Sequence, residues 1–211
     1  MGLADVGRVH RDDGPLVALG AGARPPASSL SLQLAGLVLL AAGLTMDTLW
    51  GPKGRLGVAV VAGVAAFVAS GVLSSAARPT ASLGWLVAPL IRTGEYGFIA
   101  WSTWRVGAGA AGYLLAAALA YHHYDLVYRL RYRALAPPRW LTMLGGGWDL
   151  RLVVLVVAGS VGSYRPVAAV LAVWCGGLYV FESVRSWRGA DSAGSPVPAA
   201  DGADGNGIGE L

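Results

Sequence analysis

The chain has 211 residues, of which 55% are hydrophobic and only 13% charged, and a mean hydropathy of +0.55, values that exclude an ordinary soluble domain. Its net charge of +4 comes from sixteen basic residues, fifteen of them arginine, against twelve acids. A single cysteine, Cys175, excludes a disulfide framework and a Cys-x-x-Cys metal pair; no metal, no cofactor and no nucleic-acid partner is expected.

Residues 1–29 mix charges with turn formers, contain only a short apolar patch from Leu16 to Leu19, and close on Pro25-Pro26-Ala27-Ser28-Ser29. They read as a mobile cytoplasmic lead. The first long apolar run begins at Leu30 and ends in Met46-Asp47-Thr48 without a small-residue cleavage site, so it reads as a retained helix rather than a secretory signal. A span needs about 20 apolar residues. Leu30 to Leu49 and Leu56 to Leu73 meet that length and form a hairpin around Trp-Gly-Pro-Lys-Gly-Arg, with Ala62, Ala66 and Ser70 at four-residue spacing offering a close-packing face. Trp85 to Ile91, interrupted by Pro89, suits an interfacial or re-entrant piece. From Tyr96 to Tyr121 the chain is either one helix carrying Arg105 or two helices turning at Arg105 and Gly107-Ala108-Gly109. Gly162-Ser163-Tyr164-Arg165-Pro166 breaks the stretch from Leu152 to Val184 into two. From Gly189 the composition turns to Gly, Ala, Pro, Ser and acids, which predicts a disordered tail over 189–211.

Lysine and arginine accumulate on the cytoplasmic side of short loops, which decides the ambiguous stretch. A turn at Arg105 puts Arg8, Arg11, Arg24, Arg78, Arg92, Arg129, Arg131, Arg133, Arg139, Arg151, Arg185 and Arg188 on one side, and Lys53, Arg55, Arg105 and Arg165 on the other. It also avoids a central arginine, which costs about 2.5–3.5 kcal/mol on insertion scales. The expected fold is therefore an all-α polytopic membrane bundle over 30–188, with about six transmembrane helices and both termini cytoplasmic.

Under that topology Glu95, Asp125, Asp149 and Glu182 collect near cytoplasmic helix ends. The densest passage is Tyr121 to Arg133, where His122, Asp125 and Arg129 share a helical face and Tyr121, Tyr124 and Tyr128 form a stripe beside it. Two readings stand. His122, Asp125 and Glu95 are candidate catalytic groups, with Arg92, Arg129, Arg131, Arg133, Arg139 and Arg151 binding lipid phosphate. Alternatively, the arginines and aromatics anchor helix ends at anionic headgroups, and Asp125–Arg129 and Glu182–Arg185 are local ion pairs. Gly145-Gly146-Gly147 before Asp149 could bring backbone amides to a phosphate or simply turn the chain.

The string Tyr-His-His-Tyr-Asp-x-Val-Tyr-Arg-Leu-Arg of 121–131, Ala-Pro-Pro-Arg-Trp of 136–140, Gly-Gly-Trp-Asp-x-Arg of 146–151, Glu-Ser-Val-Arg-Ser-Trp of 182–187 and Arg-Thr-Gly-Glu-Tyr of 92–96 together resemble an actinobacterial membrane domain of uncharacterised function. That domain occurs appended to CDP-alcohol phosphatidyltransferase-like and nucleotidyltransferase-like proteins, and the resemblance covers roughly residues 82–188. It implies a place in phospholipid or envelope-lipid synthesis, with membrane lipids and a phosphatidyltransferase-like protein as partners. The transferase signature itself, Asp-x-x-Asp-Gly-x-x-Ala-Arg followed by Gly-x-x-x-Asp-x-x-x-Asp, is absent. The leading expectation is an accessory membrane domain that binds headgroups. A lipid-phosphate transferase or hydrolase using His122 and Asp125 comes second, and a small-molecule transporter third.

Overall fold

The computed structural model describes residues 11–20, 25–77, 83–133 and 137–192. After the short α1 (Pro15–Leu19), the helices are α2 (Ser29–Trp50), α3 (Val58–Ala76), α4 (Val87–Arg105), α5 (Gly109–Arg133), α6 (Arg139–Leu144), α7 (Gly147–Ser160) and α8 (Tyr164–Ser192), with a 3-10 turn over Gly84–Leu86 leading into α4. The chain alternates direction through the bundle. The turns at 51–57, 106–108 and 161–163 meet at one end, which we call the turn end: the Leu56 amide donates to the Gly159 carbonyl at 3.0 Å and Arg165 Nη2 to the Gly107 carbonyl at 2.7 Å. The segment 11–20 and the first turns of α7 meet at the opposite, polar end.

The break at Arg105 is present and has a local cause. Gly107 takes φ +67°, a left-handed conformation that L side chains rarely adopt, and Val106 and Ala108 close the turn onto the α4 carbonyls. Arg105 itself is engaged rather than stranded. Its Nη2 donates to the carbonyls of Asp47, Gly51 and Pro52 at 3.2, 3.1 and 2.9 Å, satisfying the C-terminal end of α2. Asp47, also buried, accepts from the Gly57 amide at 2.7 Å and so ties α2 to the start of α3. The second turn holds in the same way, with Gly162 at φ +78°.

Among the described residues, four stretches are long and apolar enough to cross a membrane: Ser29–Trp50, Val58–Ala76, Arg139–Ser160, which combines α6 and α7, and Tyr164–Arg188. That is four where six were expected. Helices α4 and α5 are long, but Arg92, Glu95, His122, His123, Asp125 and Arg129 lower their hydropathy. Of these, Glu95, His122 and Arg129 are buried against neighbouring helices. Residues 87–91 are likewise not a separate interfacial piece: Pro89 sits in the first turn of α4, where its missing amide breaks no helical bond.

Close packing of α2 on α3 runs through glycine. A Cβ at Gly43 would stand 2.7 Å from the Ala59 carbonyl oxygen and 3.1 Å from Gly63 Cα, and one at Gly63 would stand 3.1 Å from the Leu39 carbonyl oxygen. The face predicted from Ala62, Ala66 and Ser70 is thus rotated. Ala62 is exposed, and Gly63, Phe67 and Ser70 make the contact. The buried face of α2 comprises Ser29, Gln33, Gly36, Leu40, Gly43 and Asp47, whereas Leu34, Val38, Leu39, Met46 and Leu49 point outward. On α8 the outward residues include Val170, Val173, Val180, Phe181 and Val184.

The N-terminal segment departs most from expectation. Residues 11–20 are not a mobile lead but are wedged into the polar end. Arg11 Nη1 donates to Ser74 Oγ at 3.1 Å and Nη2 to the Gly71 carbonyl at 2.9 Å, Trp148 Nε1 donates to Asp13 Oδ1 at 3.0 Å, and Val17 is buried. Residues 1–10 and 21–24 of the expected lead lie outside the described residues. So does the tail from 193, while α8 continues through the predicted boundary at Gly189 to Ser192.

Candidate functional site

A buried ionic network occupies the polar end, centred on Arg151 in the second turn of α7. All five of its N–H donors are engaged. Nε and Nη2 both donate to Glu95 Oε1 of α4, at 2.9 and 2.7 Å; Nη2 also donates to Asp12 Oδ2 at 3.0 Å, and Nη1 to the Gly145 carbonyl at 3.1 Å and Tyr179 Oη of α8 at 3.0 Å. Arg92, one helical turn before Glu95, takes the other Glu95 oxygen at 3.0 Å. Arg151 and Glu95 have 1% and 0% of their surface exposed, so their charges are compensated by one another and not by water.

Two histidines complete the chamber from α5. His122 lies flat on Tyr179, with ring centroids 3.9 Å apart and planes 11° apart, and presents Nε2 to Asp12 Oδ1 at 3.4 Å. His123 Nδ1 is hydrogen-bonded to Tyr96 Oη at 2.8 Å, and its Nε2 stands 3.8 Å from Asp12 Oδ2. Asp12 thus faces Arg151, Arg92, His122 and His123 at once. Burial alone pushes its carboxyl up; the facing His122 and His123 and the charge of Arg151 outweigh that and hold it well below the usual carboxylate range.

A second cluster lies further along α5 and α8. Arg129 Nη2 pairs with Asp125 Oδ2 and with Glu182 Oε2, both at 2.7 Å, while Nη1 donates to Glu182 Oε1 at 2.9 Å. The i, i+4 pairing of Asp125 with Arg129 read from the helical period is therefore present, and Glu182 of the facing helix, expected to pair with Arg185, pairs with Arg129.

The structure divides the candidate residues. Glu95, His122, Arg92 and Arg151 come together in the first network; Asp125 and Arg129 belong to the second. Asp125 is paired with Arg129, one turn along α5 from His122. Arg129 and Arg151 are buried in ion pairs, and Arg131 and Arg139 are exposed. The Arg133 side chain lies outside those described. The triple glycine is occupied by the chain itself: Gly14 seats directly on Gly146 and Gly147, and the Val17 amide donates to Asp149 Oδ2 at 2.8 Å. Sequence reasoning missed Asp12, Tyr96 and Tyr179. For Asp12 a signal existed, since Arg11-Asp12-Asp13 immediately precedes the apolar Leu16–Leu19 patch, the pattern of a segment that docks rather than floats.

The described residues define an all-helical class of protein, with four membrane-compatible helices and a buried ionic network at one end. The chain belongs to the family of unknown function DUF5941, whose family model matches residues 3–206. That match takes in the N-terminal segment as well as the helices and is broader than the 82–188 covered by the resemblance. No curated protein and no solved structure matches the chain.

Proposed function

We propose that this is a multi-pass cell-membrane domain whose polar end faces the cytoplasm and binds anionic lipid headgroups, in the service of a lipid-synthesising partner of the CDP-alcohol phosphatidyltransferase kind. Membrane residence is supported by the inverted packing of α2, which buries Gln33, Gly36, Gly43 and Asp47 and turns Leu34, Val38, Leu39, Met46 and Leu49 outward, the reverse of what water selects. Orientation rests on charge. Among the described residues, Arg11, Arg92, Arg129, Arg131, Arg133, Arg139, Arg151, Arg185 and Arg188 belong to the polar side, and Lys53, Arg55, Arg105 and Arg165 to the turn end.

The observation that carries headgroup binding is a collar of exposed arginines, Arg131, Arg139, Arg185 and Arg188, set beside Tyr124, Trp140 and Trp187 at the edge of the apolar outer surface. Guanidinium groups there meet phosphate oxygens while the rings sit at headgroup level. Each such arginine contributes about 1 kcal/mol to attraction by an anionic surface. The catalytic reading loses its geometric support once Asp125 is separated from His122 and Glu95.

The test is lipid retention by the full chain in nanodiscs of mixed phosphatidylcholine and phosphatidylglycerol, read by native mass spectrometry. The protein should retain phosphatidylglycerol preferentially, and the R131Q/R139Q/R185Q variant should lose most of that preference while remaining folded. Equal retention of the two lipids by the unaltered protein would overturn headgroup recognition.

A further inference from the structure

We propose that the chamber formed by Arg92, His122, His123 and Arg151 is an enclosed binding site for a phosphate group, filled here by the chain's own Asp12, so that residues 11–20 are a displaceable plug. This site is separate from the arginine collar and does not depend on it.

Three observations lead to it. First, the chamber is organised without Asp12. Arg151 keeps four of its five donor contacts through Glu95, Gly145 and Tyr179, Arg92 is held by Glu95, His122 is stacked on Tyr179 and His123 is held by Tyr96. Second, a carboxylate is too small for it. Asp12 makes one short bond, to Arg151 at 3.0 Å, while His122, His123 and Arg92 stand at 3.4, 3.8 and 3.9 Å. His123 Nε2 is left buried with no hydrogen-bond partner. A hydrogen bond needs about 2.7–3.2 Å, and a tetrahedral anion with four oxygens can reach groups that two carboxylate oxygens leave short. Third, Asp12 sits in a turn directly after the helical residue Arg11, at φ +52°, the one non-glycine residue in the left-handed region among those described.

Charge gives the same answer. With Asp12 withdrawn, the buried Arg151 loses one of its two carboxylate partners, and His122 and His123 lose the acid they face. An incoming anion would restore that balance. Counting about 1.5 Å per residue from Gly109, His122 lies roughly 20 Å along α5 from the turn end, buried between helices. A phosphate monoester entering from the polar side, on a lipid or on a free molecule, fits that chemistry.

The experiment measures binding to the full chain in phosphatidylcholine nanodiscs, comparing the unaltered protein with Asp12→Asn and Gly14→Val. The first removes the competing charge; the second sets a side chain against Asp149 and Gly146 and loosens the plug without touching the chamber. The probes are inorganic phosphate, glycerol 3-phosphate and phosphatidic acid. Both variants should bind at least one probe about tenfold more tightly than the unaltered protein, and adding His123→Ala should remove the gain while adding Arg139→Gln should not. Binding of phosphatidic acid alone assigns a lipid headgroup, and binding of the soluble probes assigns a free phosphate compound; both outcomes support the site. Folded variants that bind no better than the unaltered protein would overturn it. So would the failure of both variants to fold, because a displaceable plug cannot be indispensable to the fold.

Discussion

Asp12 shows how a buried carboxylate can be both the weakest-held and the most consequential member of a network. Its charge is kept by partners from α4, α5 and α7, none of which belongs to its own segment. Because its carboxyl in the folded chain is held below the ordinary value of 3.8, the stability it contributes is present above that value and is lost as pH falls through the folded value. Melting temperatures in detergent should therefore separate the unaltered protein from Asp12→Asn at neutral pH and converge as the pH drops below about 4. A gap that stays constant down to pH 3 would show that Asp12 contributes by shape alone. Arg151 follows a different logic. Its five donors are all used, so truncating it would leave Glu95 Oε1 and Asp12 without their shared partner in a buried site, a loss of about 3–5 kcal/mol.

At the scale of elements, glycine and short turns control the architecture more than propensity does. The α2–α3 hairpin depends on Gly43 and Gly63 lying nearly backbone to backbone, with a Cβ on either reaching into the other helix. Gly43→Leu should force those helices apart and lower stability by about 1–3 kcal/mol, visible as an earlier thermal transition of the detergent-solubilised protein. Gly97→Leu, where a Cβ meets nothing within 4 Å, is the matched control and should leave the transition in place. The turn at Arg105 was legible because the charge arithmetic allowed little else, and Gly107 supplies the geometry for it. The packing face of α3 was not legible. Alanine and glycine both count as small, but only the missing Cβ of Gly63 permits this approach, and a one-residue shift turns the helix by about 100°.

Considered whole, the molecule has two ends of different character, and accessibility can tell which way they point. In a Cys175→Ala background, a cysteine at Ser163 of the turn end should react with an impermeant maleimide added outside intact cells, and one at Arg131 should react only after permeabilisation. The reverse pattern would invert the orientation and remove the argument for a cytoplasmic collar. Nothing in that test depends on the occupant of the buried chamber.

Helical class, the two hairpin turns, the run of apolar segments and the crowding of arginine toward one end were determined by the sequence alone, because hydropathy, glycine and charge act locally and add along the chain. Only the tertiary structure decided that Arg151 meets Glu95 and Asp12, that Arg129 meets Glu182, and that residues 11–20 close the polar end. Those pairings join residues 53 to 139 positions apart. They depend on which helices become neighbours and which faces they present, and no periodicity within a single segment records that choice.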